Sequence, residues 1–168
     1  METVLSVFFL FLFIVIIISL ACFTIKYIFD GFGLMEMAKT KNEKYPWLAW
    51  IPWAKEFLRG KLAYDTDHGA AIYLGATIGV SLITYVISFI AGLISKFSYE
   101  FVVAYVFIFI IRMGYSVVYY ITQYKIFNKF SKNSTIMIVF TIVTKGFLAP
   151  IFNFAIRNNK LENKNNIQ

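Results

Sequence analysis

The sequence predicts an all-α integral membrane protein with four transmembrane helices and an amphipathic elbow at the cytoplasmic interface. Of its 168 residues, 60% are hydrophobic, and the mean hydropathy is +0.70, whereas soluble domains are only about 45 to 50% apolar. Four mostly apolar stretches reach the roughly 20 residues that a helix needs to cross about 30 Å of hydrocarbon. They are Val4 to Ile25, Ala70 to Ser95, Phe101 to Tyr124 and Thr135 to Ile156.

The first apolar stretch is predicted to be a retained helix and not a cleaved secretory signal. It follows Met1 and Glu2, with no basic residue before the apolar run. The run is about 20 residues long, which exceeds the roughly 7 to 15 residues of a signal core, and no small-x-small cleavage site follows it. The single cysteine, Cys22, lies inside this helix and forms no internal disulfide. We therefore expect residues 1–168 to form one membrane domain with a polar tail at 157–168.

The positions of Lys and Arg predict the orientation of the chain in the membrane. The N-terminus carries none, the loop 26–69 seven, the turn 96–100 one, the loop 125–134 three and the tail three. With four spans, the N-terminus is outside and both basic loops are cytoplasmic. The basic tail is then outside, unless the fourth stretch is a re-entrant hairpin that turns at Lys145-Gly146 or Pro150. These cations explain the net charge of +7 without nucleic acid, and the richness in Ile, Phe, Tyr, Lys and Asn suits a bacterial plasma membrane.

All three tryptophans lie in the stretch PWLAWIPWAKEF, within the predicted interfacial segment 31–64. Pro52 disfavours helical geometry at the preceding residue, so a new helix is predicted to begin near Pro52. Its aromatic and charged residues fall on opposite sides, which is typical of a helix lying in the membrane surface. Indole rings favour that depth because they are apolar but carry one N–H donor. The predicted membrane anchors are Trp47, Trp50, Trp53 and Phe57, and the same surface is a candidate for recognition of a partner.

Small residues form two stripes on the second predicted span. One contains Thr77, Ser81, Thr84, Ser88, Gly92 and Ser95 at spacings of three and four. Gly75 and Gly79 form a G-x-x-x-G motif on the opposite side, where helix backbones approach closely. The pattern predicts two packing faces within a helix bundle, and a homodimer through the glycine face is the alternative.

Two cations lie in the middle of apolar stretches. Arg112 is at the centre of the third predicted span, and Tyr105, Ser116, Tyr119 and Gln123 share its helical face. Lys145 is near the middle of the fourth stretch, with Thr141 one turn away. A charge at the bilayer centre costs at least about 2.5 to 3.5 kcal/mol, so it normally faces the bundle interior, a watery cavity or a partner. The four predicted spans contain no Asp or Glu.

Three explanations for these cations stay open at the level of the sequence. Arg112 is satisfied by tyrosine rings, hydroxyls and backbone carbonyls while Lys145 reaches water, or both line a pocket for an anion or a lipid headgroup. In the third explanation, they pair with an acidic residue in the transmembrane helix of another protein.

The stretch Asp65 to Gly69 gathers two carboxylates and the single histidine. A metal site needs about three or four converging ligands, and no second His completes one here. We therefore expect Asp67 to cap the helix that follows. The sequence also has no G-x-S-x-G, H-E-x-x-H or phosphate-binding glycine motif, so we expect no metal, no cofactor and no catalytic residue.

The stretch PWLAWIPWAKEFLRGKLA resembles a group of small, uncharacterised bacterial polytopic membrane proteins with a W-L-A-W-I-P loop and an L-x-G-K-L-A continuation. The stretch PIFNFAIRNNK, Pro150 to Lys160, is similar to the closing Pro, Phe and Arg-Asn pattern of that group. The chain departs from the group at Trp53 and at Lys55-Glu56, where a more aliphatic continuation is usual. The resemblance implies the architecture, an apolar first helix leading into a short loop, and implies no mechanism.

Together these observations predict a non-enzymatic accessory or assembly component that interacts with another membrane protein. The docking surface is the polar third helix or the interfacial segment. The alternative function is a binder or carrier of an anionic or lipidic ligand that uses Arg112 and Lys145.

Overall fold

The computed structural model describes residues 2–94 and 99–161, and every regular element in these two ranges is helical. Three of the described helices are long and apolar enough to cross a membrane: α1, α3 and α4. The elements are α1 (Glu2–Thr40), a 3-10 helix (Pro46–Trp50), α2 (Ala54–Tyr64), α3 (Asp67–Ile94), α4 (Tyr99–Phe130), α5 (Ser134–Val143) and α6 (Ala149–Ala155). The predicted end of the second span at Ser95 and tail residues 162–168 lie outside the described ranges.

Helix α1 is longer than the predicted span Val4 to Ile25 and continues to Thr40. The prediction ended the helix where charges begin, but leaving the hydrocarbon does not end a helix, and no proline interrupts residues 26–40. Glycine lowers helix propensity, yet Gly33 is needed for a close approach between helices. A Cβ on Gly33 would lie 2.7 Å from the backbone carbonyl carbon of Asn153. Residues 33–39, which fall in the predicted interfacial segment 31–64, therefore belong to the end of α1.

The hydrophobic core lies at this end of α1, where it meets the 3-10 helix, α2 and α6. Leu34, Met37 and Ala38 of α1 are fully buried there. Side chains from the other helices complete the core: Leu58, Leu62, Ala63, Ile126, Phe127, Phe130, Met137 and Ile156. By contrast, residues 6–25 of α1 are all exposed. The segment 31–64 is thus not one surface element, because its first residues build the core.

Helices α3 and α4 pack side by side and cover most of the second and third predicted spans. The hydroxyls of Thr77 and Tyr115 share a hydrogen bond of 2.9 Å between the two helices. Helix α4 continues six residues beyond the predicted end at Tyr124, to Phe130. This extension carries Ile126, Phe127 and Phe130 into the core. The length of the apolar run therefore underestimated the length of α4, as it did for α1.

The predicted fourth span, 135–156, is not a single helix. Lys145 and Gly146, with φ of 51° and 81°, adopt left-handed conformations between α5 and α6, and Pro150 in the first turn of α6 supplies no N–H to an incoming helix. After α6, the Nδ2 of Asn159 donates to the carbonyl oxygen of Phe130 over 2.8 Å. The chain thus returns to the end of α4 from which α5 sets out. Helices α5 and α6 therefore form a hairpin.

Candidate functional site

An open groove of about 470 Å³ separates α3 and α4 towards the middle of both helices. Its α3 side is built from hydroxyl side chains at spacings of three and four, which places them on the face towards α4. Its α4 side places Arg112 next to Tyr115 and Ser116, one turn further along the helix. The lining residues are Val80, Ser81, Thr84, Tyr85, Ser88, Arg112, Tyr115 and Ser116.

The serine and threonine hydroxyls of this groove donate to carbonyl oxygens of their own helices. The Oγ of Ser81 donates to the carbonyl of Thr77, and the Oγ of Ser88 donates to that of Thr84, each over 2.8 Å. On α4, the Oγ of Ser116 donates to the carbonyl of Arg112 over 2.8 Å. Each of these serine hydroxyls therefore needs no further acceptor for its hydrogen. The side chains are small, so they leave space for another helix backbone to approach.

Among the described residues that line the groove, Arg112 is the only charged one. Within the described residues it makes no ion pair or hydrogen bond, and no carboxylate lines the groove. Arg112 is exposed in the isolated chain. An arginine at this depth in an apolar helix requires a counter-ion, water or a headgroup.

The other cation of the predicted site does not reach this groove. Lys145 is exposed at the tip of the hairpin and is not among the residues that line it. Thr141 is fully buried, and its Oγ1 donates to the carbonyl of Met137 over 2.8 Å. Tyr105 is exposed on α4. The predicted set is therefore divided, because only Arg112 and Ser116 line the groove.

A cluster of buried charges, missed from the sequence, lies where α1 and α2 meet. The guanidinium of Arg59 donates through Nη2 to Oδ2 of Asp30 and through Nη1 to Oε2 of Glu56. Arg59 and Asp30 are only 5% and 4% exposed. Burial by itself would lower the pKa of Arg59, but the carboxylates of Asp30 and Glu56 outweigh burial and raise that pKa well above its ordinary value. Arg59 is therefore held as a cation between two anions.

Amide side chains extend this ionic cluster to α6 and α4. The Nδ2 of Asn153 donates to Oδ1 of Asp30 over 3.0 Å, and the Nε2 of Gln123 donates to Oδ1 of Asn153 over 2.6 Å. The ring of Tyr119 lies under the guanidinium of Arg59, with 5.6 Å between the Arg59 Cζ and the ring centroid. Tyr119 and Gln123, predicted beside Arg112, thus belong to this second site. Among the described residues, two buried polar atoms of this cluster have no hydrogen-bond partner, Nε of Arg59 and Oε1 of Gln123.

Asp30 was missed because the first predicted helix ended at Ile25, and Arg59 was missed because the helix predicted after Pro52 was assigned to the membrane surface. The available indication was the unbroken helical composition after Lys26, which puts Asp30 one turn further along the same helical face. For Arg59, the sequence gives no comparable indication, since an amphipathic surface helix shows the same alternation of charged and apolar residues.

The tryptophan stretch has two environments. The ring of Trp50 packs on α1, with its centroid 4.9 Å from that of Phe32 and its Nε1 donating to Sδ of Met35 over 3.4 Å. Trp47 and Trp53 are 56% and 55% exposed. Trp50 therefore contributes to internal packing, and membrane anchoring by Trp47, Trp53 and Phe57 stays a prediction.

The stretch Asp65 to Gly69 joins α2 to α3 and forms ion pairs. The backbone N–H of Gly69 donates to Oγ1 of Thr66 over 3.1 Å, so Thr66 and not Asp67 caps α3. Asp65 contacts Lys41 over 2.6 Å and also Lys129. Partial burial raises the pKa of Asp65, but these two ammonium groups outweigh it and lower the pKa below its ordinary value. Among the described residues, no three His, Cys, Asp or Glu side chains converge as metal ligands would.

The glycine face of α3 is open in the isolated chain. A Cβ on Gly75 or Gly79 would meet no atom of a neighbouring element within 4 Å among the described residues. A homodimer through this face stays a prediction.

Comparison of the chain with protein-family models, with curated proteins and with solved structures gives no match. The resemblance of the tryptophan stretch and the C-terminal stretch to bacterial polytopic proteins therefore also stays a prediction. Any function must be argued from the groove and the ionic cluster themselves.

Proposed function

We propose that this protein is a non-enzymatic membrane component that binds a transmembrane helix of another protein in the groove between α3 and α4. The observation that carries the proposal is the unpaired guanidinium of Arg112, which lines this open groove in the middle of an apolar helix. A carboxylate from the partner helix offsets the cost of about 2.5 kcal/mol or more that a central arginine otherwise carries. The hydroxyl residues of α3 are small, which favours close approach of a helix backbone.

The partner that fits is a helix with Asp or Glu near its middle. A second copy of this chain does not supply that carboxylate, because residues 6–25, 70–93 and 102–124 contain no acid. Charge complementarity therefore favours a different membrane protein over self-association through this groove.

A photo-crosslinker placed at Ser88 tests this proposal in intact membranes. We expect an adduct with a membrane protein whose crosslinked peptide is an apolar helix containing Asp or Glu. Changing Arg112→Leu is expected to reduce this adduct about tenfold, since a charge-assisted hydrogen bond contributes roughly 1.5 kcal/mol or more, whereas Arg112→Lys retains most of it. The yield is measured by immunoblotting and mass spectrometry.

Lys145→Asn is the matched control for the loss of a cation, because asparagine tolerates the left-handed backbone at the hairpin tip. This variant is expected to leave the adduct unchanged. An adduct that survives Arg112→Leu, or crosslinks to lipid alone, would contradict the proposal.

We further infer a topology of three spans and one re-entrant hairpin in a bacterial plasma membrane, with the N-terminus outside. The loops 26–69 and 125–134 are then cytoplasmic, with Trp47 and Trp53 anchored at that interface. The return of the chain to Phe130 supports a cytoplasmic tail, in which Arg157 and Lys160 would lie on the same side as the cations of both basic loops. A single cation, in the turn 96–100, is then left on the outer side.

Cysteine labelling checks the side of the tail. In a Cys22→Ser background, Asn158→Cys and Lys44→Cys are expected to resist a membrane-impermeant maleimide in intact cells and to react after lysis. Thr3→Cys, near the outer end of α1, is expected to react in intact cells. Labelling of Asn158→Cys in intact cells would show that the chain crosses the membrane again after α4.

A further inference from the structure

A second cavity, of about 200 Å³, lies beside the buried ionic cluster and is separate from the Arg112 groove. Helix α1 contributes three polar side chains to it at helical spacing, Lys26, Tyr27 and Asp30. Helix α2 contributes Lys55 and Arg59, and Tyr119 of α4 and the hairpin tip at Gly146 close the remaining sides. This volume is many times that of one water site. The cavity is thus a polar pocket built from four parts of the chain, and it is unrelated to the proposed docking groove.

The charges of this pocket do not cancel. Three cations and one carboxylate line it, and Asp30 already accepts from Arg59 and from Nζ of Lys55, the latter over 3.3 Å. Glu56, outside the lining, balances a second positive charge through Arg59. Lys26 is left over, and its Nζ contacts only an aromatic face among the described residues, 5.1 Å from the ring centroid of Phe147. The pocket therefore carries an excess positive charge.

A donor is also left without a partner. The Nε of Arg59 is buried and makes no hydrogen bond, although the residue is only 5% exposed and both Nη groups are engaged. A buried N–H without an acceptor costs about 1 to 3 kcal/mol. Arg59 lines the pocket together with Lys26 and Lys55. An anion bound there would accept hydrogen bonds from the two lysine ammonium groups beside this guanidinium.

The depth of the pocket points to the class of anion. Lys26 is the first charged residue after the uncharged stretch 3–25, which places it at the headgroup level if α1 spans the membrane. Phe23, which precedes Lys26 by three residues, also lines the pocket and is 67% exposed. An amphiphile whose charged group enters the pocket would lay its chains along the exposed apolar surface of α1, where residues 6–25 are uncovered.

We propose that this pocket binds a phosphate group, contacted by Lys26, Lys55 and Arg59, as the headgroup of an anionic lipid. Phosphate suits the site because it presents several acceptor oxygens to ammonium and guanidinium donors. Asp30 orients Lys55 and Arg59. Its carboxylate already accepts hydrogen bonds from both cations and from Asn153, so it is not an unpaired negative charge that would repel the ligand. Free phosphate has the same chemistry, and the two sources differ in whether acyl chains contribute.

Binding to the purified full-length protein in a neutral detergent tests the proposal. The probes are dioctanoyl phosphatidic acid, dioctanoyl phosphatidylcholine and inorganic phosphate, titrated by isothermal calorimetry. We expect phosphatidic acid to bind at least about tenfold more tightly than phosphatidylcholine. Lys26→Gln is expected to weaken phosphatidic acid binding about tenfold without changing the melting temperature, and Lys26→Arg is expected to retain it.

The matched control is Lys44→Gln. Lys44 is an exposed lysine whose Nζ also lies 5.1 Å from an aromatic centroid, that of Tyr45, but it is outside the pocket. This variant is expected to bind phosphatidic acid as the unaltered protein does. If inorganic phosphate bound as tightly as phosphatidic acid and Lys26→Gln weakened that binding, the site would be assigned to a free anion and not to a lipid. Equal binding of both lipids, equal loss in Lys44→Gln, or no binding of any probe would overturn the proposal.

Discussion

Replacing Asp30 by leucine is expected to lower the free energy of unfolding by about 3 to 5 kcal/mol, because it removes one of the two carboxylates that balance the buried charge of Arg59. The Arg59 guanidinium loses its bond to Asp30, and Lys55 and Asn153 lose theirs to the same carboxylate. The helix itself tolerates leucine well, so the effect comes from the cluster. It is measured as the loss of folded, monodisperse protein on heating in detergent.

Two variants distinguish this cause from a general effect of removing an acid. Glu36→Leu removes an acid of the same helix whose partner Lys39 is exposed, and its cost is expected to stay below about 1 kcal/mol. Adding both Arg59→Leu and Glu56→Leu to Asp30→Leu is expected to recover part of the loss, because apolar residues often replace a complete buried ionic cluster at little cost. Equal stability of Asp30→Leu and Glu36→Leu would contradict a buried, charged Arg59.

The change Gly33→Leu is expected to cost about 3 kcal/mol through overpacking. Its Cβ would lie 2.7 Å from the carbonyl carbon and 2.9 Å from the carbonyl oxygen of Asn153. These are backbone atoms of α6, so a rotamer change does not relieve the clash, and α1 and α6 must separate. Separation also stretches the bond from Asn153 to Asp30. The result is read from thermal stability and from increased proteolysis of residues 144–160.

Gly75→Leu is the matched control, a glycine in the interior of a helix where a new Cβ meets open space. Leucine has a higher helix propensity than glycine, so this variant is expected to be neutral or up to about 1 kcal/mol more stable. If Gly33→Leu were equally well tolerated, the close packing of α1 on α6 would be wrong.

The sequence predicted the all-helical character and the apolar parts of α1, α3 and α4, since apolar length and helical composition are local properties. It did not predict where α1 and α4 end. Residues 26–40 and 125–130 leave the apolar run but remain helical, because packing in the core and not hydrocarbon covers Leu34 and Phe127. Hydropathy indicates which part of a helix lies in hydrocarbon, and it does not indicate where the helix ends.

The break in the fourth stretch was indicated by Lys145-Gly146 and Pro150, and the sequence left the hairpin open as an alternative. Hydropathy could not decide between a hairpin and a span, since both are apolar. The contact of Asn159 with Phe130, an interaction across the fold, brings the chain back to the end of α4, and the re-entrant topology stays a proposal. The grouping of the site residues also depends on contacts across the fold. Lys145 and Arg112 each lie in an apolar stretch of the sequence, but Lys145 does not line the Arg112 groove.

The hydrogen bond between Asn153 and Asp30 joins residues 123 positions apart in the chain. At about 5 to 20 residues per second, the ribosome makes Asn153 roughly 6 to 25 s after Asp30. During that interval Asp30 lacks its amide partner Asn153, and α1 lacks the helix that packs on Gly33. The α3 and α4 pair is complete by then, so the core at the end of α1 closes last. A nascent chain stalled before α6 would therefore present an unfinished charged cluster, the state in which insertion factors and quality-control proteases would encounter it.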